Sequence, residues 1–280
     1  MSRWLIDKAG VKLTVKAKSG PASDLVALAL AAIPTEEVNS TRGIKLSVKH
    51  DDDGWELTDH ATKLRRKLTE PGDVVYHLTD RIVFHVADKA ADVHCLHAAA
   101  VTKHGGALVI PANSGAGKSS FTTWLVANGF DYLTDELILV SDEGKLDGIA
   151  RPIQIKAHGL DAIDHLIRDK SLVQKGKFAT ALPVACLGGV QLAAAEQQLS
   201  LLVFPRYKKG ADFSFEQLSS AEAGMNLMAN HVNARSLEGH GFKAMMKLIR
   251  STPSYSLEYG GFDKLPADFP AQLEGLLETH

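Results

Sequence analysis

The chain has 280 residues, enough to bury a sizeable core in one large domain or two small ones. Hydrophobic residues make up 45% of it, the share of an ordinary globular protein. The net charge of −2 excludes a global basic field of the kind that gathers nucleic acid. The first residues, MSRWLIDKAGVK, hold no long apolar run after their charges, so no signal peptide is expected. Within SDLVALALAAI, which reads as a helix capped by Ser23, Leu25 to Ile33 is the longest apolar run, too short to span a bilayer. The expected setting is the cytoplasm, with neither nucleic acid nor membrane as partner. GIKLSVKH and WELTDH alternate like strands around a DDDG turn. From Asp73 to Asp88, apolar residues at 74, 78, 82 and 86 form a helical stripe for core packing. Residues 1–90 therefore read as a small α+β unit, and 91–280 as a second, larger domain.

The second domain opens on DVHCLHAAAVTKHGGALVIPANSG, a β-hairpin turning at Lys103 to Gly106. Phe121 to Asn128 is a short helix with Gly129 at the position of a C-terminal cap. FDYLTDELILVSDEGKLDGIARPIQIK reads as strand, turn and strand. Residues 157–186 look mostly helical and loop-like, and LSLLVFPRY is a buried strand with a polar tip. Ser219 and Glu222 make a capping box at the start of a helix. SYSLEY is the last strand, and Pro266 and Pro270 bracket a C-terminal helix. Mixed strands and helices place the chain in the α/β or α+β class. Cys95 and Cys186 are too few for a disulfide scaffold or a zinc site, and read as reduced thiols.

The hairpin's second strand runs into Ala112-Asn113-Ser114-Gly115-Ala116-Gly117-Lys118-Ser119, followed by Ser120. The phosphate-loop signature is Gly-x4-Gly-Lys-Ser/Thr between a strand and a helix; here alanine stands in its first place. Converging backbone amides need glycine's freedom or minimal bulk, and the following helix turns its positive dipole end to the same anion. Lys118 is expected beside the β- and γ-phosphates, and Ser119 to offer its hydroxyl to Mg²⁺. The bland alternative, a small-residue turn between strand and helix, does not explain why Lys-Ser opens the helix. Asp135 and Glu136 follow seventeen residues beyond Lys118, room for one helix, a turn and a short strand. One carboxylate suits the metal and the other a proton from an attacking hydroxyl. Their apolar flanks, Tyr132-Leu133 and Leu137-Ile138-Leu139, argue against a merely solvated turn. His97, in CLHAAAV, has no assignable role from its strand alone.

The run from Leu96 to Val140, "LHAAAV…GGALVIPANSGAGKSSFTTWLVANGFDYLTDELILV", resembles the catalytic domain of the HPr kinase/phosphorylase family. In that family a Leu-His strand, the loop, a short helix and an acidic pair follow in the same order. RPIQIKAHGLDAIDHL and the LLVFPRY and LSSAEAGMNL segments are similar to shorter HPr-kinase-related proteins, some from peptide-modification clusters. The resemblance implies a phosphoenolpyruvate-carboxykinase-like P-loop domain with a curved mixed sheet. It implies that Asn113, Ser114, Gly115, Ala116, Gly117, Lys118, Ser119 and Ser120 hold ATP. Asp135 matches the general base, Glu136 a metal ligand or a partner for His97, and His97 the histidine facing the acidic pair. It implies Mg²⁺ at Ser119, Asp135 and Glu136, and a homo-oligomer, HPr kinases being hexameric. Ala112, the match of His158-Gly159-Leu160 to the family's Arg-Gly-Leu-Gly-Ile, and an N-terminal unit unlike the family's regulatory domain are departures. HPr is therefore not claimed as the acceptor. A phosphoenolpyruvate carboxykinase fails on length and on the missing second metal set.

Phosphoryl transfer spreads charge that a guanidinium can stabilise. Arg151 is the first candidate, Arg206 the second, and Lys156 follows. The expected activity is an ATP-dependent, Mg²⁺-dependent kinase acting on a hydroxyl of a peptide, a protein or a small molecule. The alternatives are a nucleotide-binding regulatory or assembly protein with little turnover, and a metal-independent module in which the loop is structural.

Overall fold

The computed structural model describes residues 1–188, 192–193 and 196–278, with the backbone alone at residue 158. Backbone contacts divide the chain into two compact units. One comprises Met1–Ala91, Arg151–Leu160 and Asp169–Cys186; the other comprises Asp92–Ala150, Asp161–Arg168 and Leu187–His280. The two later segments of the first unit thus come from the span that the sequence reading gave to the second domain. No helix among the described residues is long and apolar enough to cross a membrane.

The first unit opens with strands β1 (Ser2–Lys8) and β2 (Val11–Ala17) and helix α1 (Pro21–Leu30). Strands β3 (Glu36–Glu37), β4 (Ile44–Asp51), β5 (Gly54–Asp59) and β6 (Leu64–Leu68) and helix α2 (Pro71–Lys89) follow. The sheet runs β3-β1-β2-β4-β5-β6, antiparallel except for β2 and β4, whose parallel pairing requires the crossover that contains α1. The expected Ser23 cap is not what starts α1. The N-cap is Gly20, and Pro21 occupies the first turn, where its fixed φ suits the helix and its missing N–H costs nothing. Both helices pack against each other and against β2, and the stripe Val74, Leu78, Ile82 and Val86 is buried as its spacing predicts.

On β5, alternation buries Trp55, Leu57 and then Asp59, so a carboxylate lies on the apolar face. Helix α2 brings His85 Nε2 to 2.8 Å and Arg81 Nε to 2.9 Å from its Oδ2. Burial pushes the Asp59 carboxyl up, but hydrogen bonds from Thr62 and His85 outweigh it and hold the pKa at about 2.

The second unit begins with β7 (His94–Lys103), β8 (Gly106–Pro111), helix α3 (Lys118–Ala127), β9 (Asp131–Thr134), β10 (Leu137–Val140) and β11 (Lys145–Gly148). Next along the chain come β12 (Ile153–Ile155), the short helix α4 (Ala157–Ile163) and β13 (Thr180–Leu182); β12 and β13 pair antiparallel and belong to the first unit. The rest is β14 (Gln197–Tyr207), β15 (Ser214–Gln217), α5 (Ser220–Met228), α6 (Phe242–Ser251), β16 (Ser254–Tyr259) and α7 (Phe269–Glu278). The capping box of Ser219 and Glu222 is present on α5, whereas Pro270 sits within α7 rather than beyond it.

The large sheet has the order β11-β10-β7-β8-β14-β16-β15, with β9 also on β7. A further pairing of β11 with β14 joins five of these strands into a ring, which a flat sheet cannot do. This is the mixed, curved sheet that the sequence led us to expect. Small residues line the crowded side: Ala98, Ala100 and Ala107 pack with Leu96, Val109 and Ile138. Met245, Leu248 and Ile249 of α6 close the same core. Cys95 and Cys186 are free and buried, and burial pushes their thiols up to about 12 and about 11.

Candidate phosphate-binding site

Strand β8 is buried along its whole length, and the chain leaves it at Pro111 for the loop that opens α3. Two glycines there adopt backbone that side chains disfavour, Gly115 at φ 92° and Gly117 at φ 91°. A Cβ on Gly117 would also lie 2.6 Å from Tyr259 Oη and 3.1 Å from Tyr207 Cβ. Ala112, where the signature has glycine, is buried and has no positive φ, so alanine meets the demand at that position. The loop is tied by Ala116 N–H donating to Asn113 O at 3.2 Å and by Tyr207 N–H donating to Ala116 O at 3.1 Å. Gly117 is the N-cap of α3 and supplies no side-chain acceptor, so the first-turn amides present their positive end to the loop.

Lys118, only 7% exposed, reaches the break between β9 and β10. Its Nζ donates to Asp135 O at 2.8 Å, lies 3.2 Å from His97 Nε2, and lies 3.8 Å from Glu136 Oε2. Ser119 Oγ donates to Asp135 Oδ2 at 3.4 Å, and Tyr132 Oη to Asp135 Oδ1 at 3.4 Å. Both are long contacts between a hydroxyl and a fully buried carboxylate. His97 Nε2 stands 3.3 Å from Glu136 Oε1, because β7 and β10 pair with Leu137 opposite His97.

The acidic pair lies where one predicted strand proves to be two. Thr134 Oγ1 donates to Ile149 O at 2.8 Å and accepts from Glu136 N–H at 3.3 Å, so the bend between β9 and β10 is held from inside. On the other edge of β7, Asn230 O accepts from His97 N–H at 2.8 Å, and Val232 N–H donates to Cys95 O at 2.9 Å. Asn233 Oδ1 accepts from Cys95 N–H, and its Nδ2 donates to Val93 O. The segment after α5 therefore fixes the strand that carries His97, a role for which its sequence shows no pattern.

His97, Lys118, Ser119, Asp135 and Glu136 are thus brought together beside the loop residues Asn113 to Ser120. Arg151 and Lys156 belong to the other compact unit; Arg151 is buried and Lys156 exposed. Arg206 is on β14, 76% exposed in its side chain and paired with Glu258 at 3.7 Å. The His158 side chain lies outside the described residues. Sequence reasoning missed Tyr207 and Tyr259, at the ends of β14 and β16; an aromatic at the end of each of two apolar strands is the signal that could have found them. Tyr259 is 1% exposed, and burial together with Tyr207 pushes its hydroxyl far up, so it stays a neutral phenol.

No protein-family model matches the chain, and no curated protein matches it. Among solved structures it is similar to the Hpr(Ser) kinase/phosphatase from Coxiella burnetii, at 12% identity and a TM-score of 0.30. The likeness covers 66% of this chain and 89% of that one. A likeness of that extent does not assign an activity.

Proposed function

We propose that the protein is an ATP-dependent kinase that moves the γ-phosphate to a hydroxyl of a peptide, a protein or a small molecule. The observation that carries this reading is the meeting of Lys118, Ser119 and Asp135 at the start of α3, with Ser119 Oγ 3.4 Å from Asp135 Oδ2. Among the described residues, no group of three or more His, Cys, Asp or Glu side chains makes a metal site by itself. Ser119 and Asp135, with Glu136 near, suit Mg²⁺, which takes most of its ligands from water and phosphate. Bound there, Mg²⁺ would supply charge neutralisation on the phosphates.

The chain's own residues then have distinct tasks. The amides of Gly115 to Ser120 and the N-terminus of α3 bind the polyphosphate. Lys118 turns its ammonium from Asp135 O and Glu136 towards phosphate oxygens; its buried stem keeps it in reach. Asp135 accepts the proton of the attacking hydroxyl. His97 holds the Glu136 carboxylate by its Oε1 and so keeps it turned to the same corner. The protein is proposed to act as a homo-oligomer.

The test is incubation with Mg-ATP and the products of neighbouring genes as acceptors, with phosphate transfer read by mass spectrometry. ADP and a phosphorylated hydroxyl are expected. ATP binding with no ADP formed on any acceptor would favour the regulatory reading instead.

A further inference from the structure

Strands β8, β14 and β16 are neighbours and parallel, and all three end on the side of the loop: β8 at Pro111, β14 at Tyr207 and β16 at Tyr259. Ligands of such sheets lie in the crevice beyond the carboxyl ends of the parallel strands. A molecule held by its phosphates at the end of β8 therefore has the end of β14 as its next surface.

That surface is tied to the loop itself. The Tyr207 backbone N–H donates to Ala116 O at 3.1 Å. The Tyr207 ring meets Tyr259 at 5.7 Å between centroids and 64° between planes, so a buried aromatic supports it at its edge. Tyr207 is nevertheless 44% exposed. An aromatic fixed at its backbone, supported on one side and open on another offers a π surface at a set distance from the phosphates.

We propose that Tyr207 is the stacking platform for the nucleobase of the nucleoside triphosphate whose phosphates occupy the loop. The proposal rests on the phosphate-loop reading above. Every base has a π face, so stacking favours a nucleotide over bare polyphosphate without selecting one base. Lys208 and Lys209, exposed, follow next in the chain.

The test is calorimetric titration of the full-length protein with Mg-ATP and, separately, with magnesium tripolyphosphate. The wild type is to be compared with Tyr207→Ala, Tyr207→Leu and Tyr207→Phe. The backbone bond to Ala116 survives each change, and leucine keeps apolar cover should alanine loosen the fold. Loss of base stacking in Ala and Leu is expected to weaken ATP binding between about 5-fold and about 150-fold. Tripolyphosphate binding should be unchanged, and phenylalanine should bind ATP as the wild type does. Equal losses for both ligands, or full ATP affinity with leucine, would make Tyr207 a packing residue and overturn the proposal. Equal affinity of the wild type for the two ligands would overturn stacking while the phosphate loop stands. Failure of the wild type to bind either would remove both readings.

Discussion

Two buried aspartates, one in each unit, sit at the ends of strands and differ in what surrounds them. Asp59 ends β5 and Asp135 follows β9; each is 0% exposed. Asp59 is held by short contacts, from Arg81 at 2.9 Å, His85 at 2.8 Å, and the amides of Ala61 and Thr62 at 3.0 and 3.2 Å. Asp135 meets the hydroxyls of Ser119 and Tyr132, each at 3.4 Å. Short bonds that include charged donors fix a carboxylate in one state, and the gain goes into folding. Long contacts to hydroxyls hold a carboxylate less tightly than short ones to charged donors. On the proposed reading, the contrast is between a carboxylate that builds the molecule and one that serves the phosphoryl transfer.

The comparison is broken most directly by removing each charge in turn. Asp135→Asn is expected to lower the rate of ADP release with a working acceptor by about 10²- to 10⁴-fold, the usual weight of a general base. Its urea midpoint should move less than that of Asp59→Asn. In Asp59→Asn, Arg81 and His85 face an amide in place of a charge, and stability should fall by about 3 kcal/mol or more in urea titration. Rates per folded molecule that drop as far in Asp59→Asn as in Asp135→Asn would erase the distinction.

Acid sharpens it further. The Asp59 pKa of about 2 lies below the ordinary 3.8, so its share of stability is fully present above pH 3.8. That share is lost as pH falls through about 2, since both states then bind the proton. Urea midpoints measured from pH 5 downward should fall more steeply for the wild type than for Asp59→Asn; parallel curves would contradict the assignment. The smallest expected effect is that of Ser119→Ala on folding, within about 1 kcal/mol, because one long contact is lost. The same variant should weaken Mg²⁺-dependent ATP binding, which titration with and without Mg²⁺ would reveal.

How much of this was legible in the chain depended on distance along it. The hairpin of β7 and β8, the α2 stripe and the α5 capping box answer to neighbours a few residues away, and the sequence shows them. Strand β2 carries the same local signal, with buried Val11, Leu13, Val15 and Ala17 alternating with Lys12, Thr14 and Lys16, and was legible although the sequence reading passed over it. Helix α6 was also legible, since Met245, Leu248 and Ile249 form an apolar stripe at i, i+3 and i+4 that is buried, although the sequence reading passed over it. The break of one expected strand into β9 and β10 follows from Thr134 bonding to Ile149, fifteen residues on. In the site, the loop, Lys118, Ser119 and the acidic pair were readable. The hold of Asn230 on His97, and Tyr207 beside Gly117, join residues far apart in the chain and leave no spacing to read.

By itself the sequence determined the parts whose physics is local: glycines where the backbone turns left-handed, Lys-Ser at the start of a helix, and two adjacent carboxylates between apolar runs. Tertiary structure alone decided which groups those parts face. It set Asp135 against Ser119, Glu136 against His97, and Tyr207 against the loop, and it assigned Arg151 to the other compact unit. The reason is physical: backbone conformation is governed by neighbours in the chain, whereas hydrogen bonds and charge pairs are governed by neighbours in space.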